Sequence, residues 1–517
     1  MQAQHIRTLG RPHKAQHKTV VLTHCFLMVV LLVAYFYCSG LELRAERIIY
    51  PGSVILVTLF VWELWSWKKL TGHVFDPYGL FLMAATVFNG GQAVLEVFHL
   101  NEEGILADRF SPQTIFNTLF LVTLGLASLH LGALISAMKR TTGVEGTATA
   151  PKNVSPQESI RLVGWLLLLI SLPSAIILFR DAISIVLAGG YSALFENGAA
   201  TGLEAGPRVL ASFLVPAALF LLVGGKGTRS SIVVSVIVLL GYSSIQLFLG
   251  YRYHATMPVV AYVWLWHRYI RRIAFPTLLS AGAVVFFVVF PVVGLIRNTS
   301  GAERLSVNYL MKAFTSLENP GIAAISEMGG SMGTVSHTLD LVPNARDYDM
   351  GASYYYASLT LFPNLFWGIH PSIAHGTASK WLIWLVNPYI ASRGGGLGFS
   401  IIAEAYLNFG WLGAPVVLGL IGFLYGKFVL WADRSYDPAK LAMVACFFAF
   451  FTLIARGESA LITRPLLWYA LGPYALIQIV LIWRKRGSAD PVTLSSVSKV
   501  IKATQAGHAL YRPKKCS

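Results

Sequence analysis

Residues 20–38 read VVLTHCFLMVVLLVAYFYC, a run without a charged side chain. About twenty such residues, wound as a helix, cross the hydrocarbon core of a bilayer. A polar, basic lead with Arg7, Arg11, Lys14 and Lys18 precedes the run, and no small-residue cleavage site follows it. It therefore reads as a retained first membrane helix. The pattern recurs at 50–67, 77–98, 114–138, 159–179, 207–224, 230–248, 254–268, 273–296, 398–429, 439–456 and 461–483. Together these runs predict an all-α polytopic membrane protein with about twelve transmembrane helices. Composition agrees: the 517 residues are 55% hydrophobic and 12% charged, where a soluble domain is about a quarter charged. Three runs are irregular. Asn89-Gly90-Gly91-Gln92 interrupts the third, the eighth is short, and the tenth is too long for one straight span, with Gly410 and Gly413 as candidate breaks.

The net charge of +16 would suit a nucleic-acid binder, but its distribution excludes that class. Basic residues follow the even-numbered helices: Lys68 and Lys69, Lys139 and Arg140, Lys226 and Arg229, Arg268 with Arg271 and Arg272, and Arg484 to Arg486. Alternate loops enriched in this way mark the cytoplasmic side. The chain then divides into a cytoplasmic N-terminus (1–18), helices one to nine (19–296), a large periplasmic loop (297–397), helices ten to twelve (398–483) and a cytoplasmic basic tail (484–517). A bacterial inner membrane is the expected location. Four cysteines, none in the large loop and none in a CxxC pair, indicate neither a disulfide framework nor a zinc site. With no Walker loop, dinucleotide fingerprint or zinc-protease motif, no cofactor and no metal are expected.

A loop of this length exceeds what a connector needs and points to function. Five arginines lie on its side of the membrane, against the charge rule: Arg252, Arg297, Arg393, Arg456 and Arg464. Their planar forks suit bidentate contacts to phosphate; the competing reading is that each snorkels to lipid headgroups. Ser400, Glu404 and Asn408 are spaced i, i+4, i+8, so they share one helical face. A carboxylate at that depth needs a polar cavity or a partner, and both a catalytic role and a structural ion pair with an arginine remain open for Glu404. His370 is a candidate proton acceptor, because imidazole titrates near neutrality. Pro371 argues against a helical metal pair with His375. Loop aromatics such as Tyr355 and Trp367 suit either the membrane interface or stacking on sugar rings.

The stretch Arg393 to Gly413, with its glycine-rich lead, Ser400, Glu404, Tyr406 and Asn408-Phe409-Gly410, resembles the O-antigen polymerase (Wzy-type) family, part of a wider polymerase and ligase superfamily. Leu361-Phe362-Pro363-Asn364 with His370-Pro371, Gly250-Tyr251-Arg252 and Arg297-Asn298 are similar to further elements of that family, although Asn364 stands where a basic residue is expected. The resemblance implies a GT-C-like glycosyltransferase that joins undecaprenyl-diphosphate-linked oligosaccharide repeat units into O-antigen, capsule or exopolysaccharide. It implies Glu404 or His370 as the catalytic base, the five arginines as diphosphate ligands, and Tyr355, Trp367, Tyr406 and Asn408 as sugar contacts. Membrane lipids, a flippase and a chain-length regulator are the implied partners. An O-antigen ligase-like transferase or a transporter of lipid-linked oligosaccharide remains the alternative.

Overall fold

A computed structural model describes residues 14–40, 45–101, 104–138, 156–196, 206–297, 299, 303, 306–315, 319–364, 367–435 and 437–487. Helices make up the regular structure of these residues, and no strand occurs among them. The C-terminal residues beyond 487, the loop basic pair Lys139 and Arg140, and Asn298 lie outside the described residues. The membrane-crossing helices are α1 (Lys14–Gly40), α2 (Ala45–Thr71), α3 (Pro77–Val97), α4 (Pro112–Met138) and α5 (Pro156–Gly189). They continue as α6 (Gly206–Gly224), α7 (Arg229–Leu249), α8 (Arg252–Leu265), α9 (Phe275–Arg297), α10 (Ile401–Ser435), α11 (Pro438–Arg456) and α12 (Ser459–Arg484).

Eleven of these are long and apolar enough to span a bilayer by themselves, and α8 is the short exception that the sequence singles out. Its contacts nevertheless join the two ends of the bundle. Arg252, its first residue, pairs with Glu327 of the large loop. Arg268, in the π-helical turn Trp266–Ile270 that continues it, pairs with Asp433 near the end of α10. Asp433 belongs to a polar layer with His73, and the same end of the molecule holds Lys226, which donates to the Tyr269 carbonyl, and the Arg484–Glu158 pair. Below, this is the basic end and the other is the loop end.

The third and tenth helices explain how the bundle is tied. α3 runs unbroken through Asn89-Gly90-Gly91-Gln92, because those residues serve its neighbours. Asn89 Nδ2 donates to the Ala455 carbonyl of α11 (2.9 Å), and its Oδ1 accepts from Ser400 (2.5 Å). Gln92 Nε2 donates to the Ser326 carbonyl, and Gly91 meets Gly329 closely enough that a Cβ would lie 3.2 Å from its Cα. In a bilayer, where burying apolar surface gives little drive for helix pairing, small residues and interhelical hydrogen bonds supply it.

α10 is two helices. Gly410 sits at φ 62°, ψ −159°, a region essentially reserved for glycine. Gly413, the other candidate break, does not depart from helix. Both Ile402 and Leu418 approach Gly125 of α4, so the chain between them reverses. Ile401–Phe409 rises toward the loop end, where Trp411 packs near Phe120 and Tyr406. The remainder then descends beside α4. Gly132 on one helix and Gly419, Gly422 and Gly426 on the other let these two backbones meet, the close-approach pattern of small residues in membrane helices.

At the basic end, α1 to α4 enclose a set of buried polar side chains. Ser66 gives its proton to the Glu63 carbonyl, so it accepts from His130 Nε2 (2.8 Å), and Tyr78 then donates to His130 Nδ1 (3.0 Å). Glu63 is 1% exposed, and neither carboxylate oxygen has a hydrogen-bond partner among the described residues.

Candidate active site

Arginines gather at the loop end because of where helices stop. α7 ends on Gly250 at φ 97°, and the Tyr251 N–H caps back onto the Gln246 carbonyl. A left-handed glycine is the common helix stop, and it delivers Arg252 directly to the start of α8. Arg297 closes α9, where a cation complements the negative end of the helix dipole. Arg456 closes α11 in the turn Thr452–Arg456.

Two of these meet one carboxylate. Arg252 Nη1 donates to Glu327 Oε2 (2.6 Å), and Arg297 Nη1 donates to Glu327 Oε1 (3.3 Å). The Arg297 guanidinium also lies 4.4 Å from the centre of the Tyr191 ring. Arg456 is within electrostatic reach of Arg252, Arg297 and Glu327. Counting these four groups, three positive charges face one negative charge, a surplus of two. Arg252 is largely buried, and its Nε–H has no partner among the described residues. Glycines clear the space: a Cβ on Gly294 would collide with Arg252 Nη2, and one on Gly250 would lie 2.8 Å from Arg297 Cγ. Burial pushes the nearby Tyr251 hydroxyl up to about 12, with Tyr191 adding and Arg208 and Arg297 opposing. It therefore stays a neutral hydrogen-bonding group.

The other two arginines sit apart from this carboxylate. Arg464 Nε donates to the Thr360 carbonyl (2.6 Å) and lies 5.5 Å from the Trp468 ring. Arg393 is exposed and stacks 4.5 Å from the Tyr389 ring. The next residue, Gly394, closes on the Phe195 carbonyl, and Phe195 packs edge-on against Tyr191, so Arg393 borders the cluster.

Ser400, Glu404 and Asn408 are all buried on one face, as their spacing predicts. Their partners are not arginines. Glu404 Oε1 accepts from the Ser353 and Ser459 hydroxyls (3.0 and 2.6 Å), and Oε2 accepts from the Ser459 N–H (2.8 Å). Asn408 donates to Ser353 and accepts from the Gly351 N–H. A second carboxylate, Glu458, takes the Ala378 N–H (2.7 Å) and the Ser379 hydroxyl (2.5 Å). The two acids therefore fasten the Arg456-Gly457-Glu458-Ser459 turn to the loop helices Ala352–Leu359 and Ala378–Val386.

His370 is buried and caps the short helix Pro371–His375: Nδ1 accepts from the Ser372 N–H, and Nε2 faces the Phe362 carbonyl at 3.3 Å. His337 packs against Phe110, and burial pushes its pKa down. Tyr406 is buried and donates to the Val342 carbonyl. Tyr355 and Trp367 are exposed. Tyr355 meets Tyr356 edge-on, and Tyr356 stacks on His375 at 4.1 Å, which gives the loop an aromatic face. Asn364 offers a buried Oδ1 with no partner among the described residues. Sequence reading missed Glu327, Glu458, Ser353, Ser459 and Tyr191. Each looks ordinary locally and gains its role only through contacts remote in the chain. Among the described residues no three His, Cys, Asp or Glu side chains group as metal ligands.

An all-helical, multi-pass membrane protein with a positively charged site built on helix ends defines the class. The family model for O-antigen polysaccharide polymerase Wzy matches residues 20–486, and the chain belongs to that family. Membership assigns it a polysaccharide polymerase activity of the glycosyltransferase type. No curated protein and no solved structure matches it.

Proposed function

We propose that the chain joins undecaprenyl-diphosphate-linked repeat units at the periplasmic face of the inner membrane, with the donor diphosphate held by Arg252, Arg297 and Arg456. The observation that carries this reading is the pair of arginines bridged by one carboxylate, with a third beside them and an unpartnered Arg252 Nε–H. The surplus of two positive charges suits a diphosphate, and the basic end opposite it fits the cytoplasmic side.

In the reaction, an acceptor hydroxyl oxygen forms a bond to the donor's anomeric carbon, and the bond from that carbon to the diphosphate oxygen breaks. The lipid diphosphate departs with the electron pair. Charge grows on it as the bond lengthens, and preorganised guanidinium donors stabilise that charge more than the ground state. The hydroxyl proton needs an acceptor. Glu404 and His370 were the expected bases, and their polar atoms are held by donors and acceptors of the protein itself. That supports giving them positioning roles for the Arg456 turn and the aromatic loop. Glu327 is 47% exposed and sits between the two arginines. A diphosphate taking those arginines releases the carboxylate, whose oxygens are then free to accept the hydroxyl proton. Arg393 and the Tyr355–Trp367 face extend the site toward the glycan.

Complementation of a polymerase-null strain tests this. Arg252→Ala, Arg297→Ala and Arg456→Ala, each folded and inserted, should leave single-repeat glycans. Glu327→Gln should retain donor binding and lose turnover. A wild-type polymer ladder from all three arginine variants would overturn the assignment.

A further inference from the structure

A second site lies at the basic end, far from the arginine cluster. A cavity of about 410 Å³ opens between α10, α11 and α12, within the roughly 300–1,000 Å³ range of small-ligand sites. Its wall is apolar, with Phe428, Met443, Leu471 and Tyr474 among the lining residues. Lys427, Trp431 and Arg434 also line it, and Lys440 Nζ lies 4.5 Å from the centre of the Trp431 ring.

These cations complete a stripe. Leu412, Val416, Leu420 and Leu424 are exposed at four-residue spacing along α10 and form a face for acyl chains. The same face continues into Lys427, Trp431 and Arg434, all exposed. A change from aliphatic to tryptophan and cation along one stripe marks the level where hydrocarbon gives way to headgroups. The nearby carboxylates leave Lys427 and Lys440 unpaired. Asp433 binds Arg268 on another face, and Asp437 caps α11 through the Ala439 N–H. Among the described residues Lys427 and Lys440 form no ion pair. Arg434 donates to the Ala137 carbonyl and lies beside Asp433. An apolar cavity beside the unpaired Lys427 and Lys440 matches a ligand with a long chain and an anionic head.

We propose that this groove binds one anionic glycerophospholipid from the leaflet at the basic end, with an acyl chain in the cavity and the phosphate against Lys427 and Lys440. Basic pockets between membrane helices recognise anionic headgroups, at about 1 kcal/mol per Lys or Arg. Two such groups give roughly a thirtyfold preference over a zwitterionic lipid.

The test uses the full chain, delipidated in neutral detergent and examined by native mass spectrometry with phosphatidylglycerol or phosphatidylcholine added. Wild type should retain one phosphatidylglycerol at concentrations where phosphatidylcholine is lost. Lys427→Ala with Lys440→Ala should lower that retention at least tenfold. Leu471→Trp, which fills the cavity and keeps the cations, should lower it as well, and thermal melting checks that both variants are folded. Equal retention of the two lipids, or unchanged retention in both variants, overturns the proposal. Displacement by inorganic phosphate alone would make it a bare anion site, and preferential displacement by undecaprenyl phosphate would make it a polyprenyl site. Either result overturns the phospholipid assignment.

Discussion

Gly294→Ala separates the arginine site from the fold that carries it. Gly294 lies in a regular helical turn near the end of α9, where alanine is intrinsically the better residue by about 0.5–1 kcal/mol. The added methyl meets the end of the Arg252 side chain, which must retreat by roughly 1 Å to regain ordinary contact. That movement breaks the 2.6 Å bond to Glu327 and takes Nη1 away from the position a phosphate oxygen would fill. A misplacement of this size costs about a hundredfold in rate, or about 2.7 kcal/mol in the barrier. The assay is turnover of a purified lipid-linked repeat unit in detergent, with thermal melting measured in parallel. Turnover should fall about a hundredfold while the melting temperature holds or rises. Gly282→Ala on the same helix is the control, because its Cβ meets open space; it should leave turnover unchanged. If Gly294→Ala turns over within threefold of wild type, Arg252 does not act from its observed position.

Three further outcomes follow from the same contacts. Glu404→Ala leaves the Ser459 N–H and two hydroxyls without their acceptor, so it should lose about 1–3 kcal/mol in a thermal melt, whereas Glu404→Gln should recover part of that stability and of the turnover. Glu63→Leu removes a buried carboxylate that has no hydrogen-bond partner and should raise the melting temperature, with a gain on the order of 1–3 kcal/mol. At the basic end, the close pairing with Asp76 (3.3 Å) raises the His73 pKa above 6.5, burial opposes it, and the charge of Asp433 adds to it. A raised folded-state pKa gives stability that is complete below the unfolded value and is lost as pH rises through the folded value. The melting temperature should therefore decline above pH 6.5 in wild type, with a shallower decline in His73→Gln.

The fold was legible because a bilayer imposes a simple rule, and long uncharged runs such as Val20–Cys38 satisfy it without reference to any partner. α8 was legible as short, but its crossing rests on Arg252 and Arg268 reaching opposite ends of the bundle. The shared face of Ser400, Glu404 and Asn408 follows from helical spacing alone, and the break at Gly410 follows from glycine's freedom. What filled that face did not follow. Ser353 and Ser459 are each more than fifty residues from Glu404, and local sequence carries no record of such pairings. The arginines were readable as residue types on the wrong side of the charge rule. Which three converge depends on Glu327, one of several acids in the large loop and marked by nothing nearby. The polar residues of α3 looked like a flaw in a helix for the same reason: Ser400, Ala455 and Ser326 lie far away in the chain.

The reversal at Gly410 gives the bundle a floor beneath the loop end. The chain goes in from the loop end before residue 401 and comes back to it along residues 401–409, so this segment adds depth without adding a crossing. Below it, α4 and the descending part of α10 meet glycine to glycine, with no room for a file of water between them. A pore through this part of the bundle would have to part those glycines, which are packed backbone to backbone.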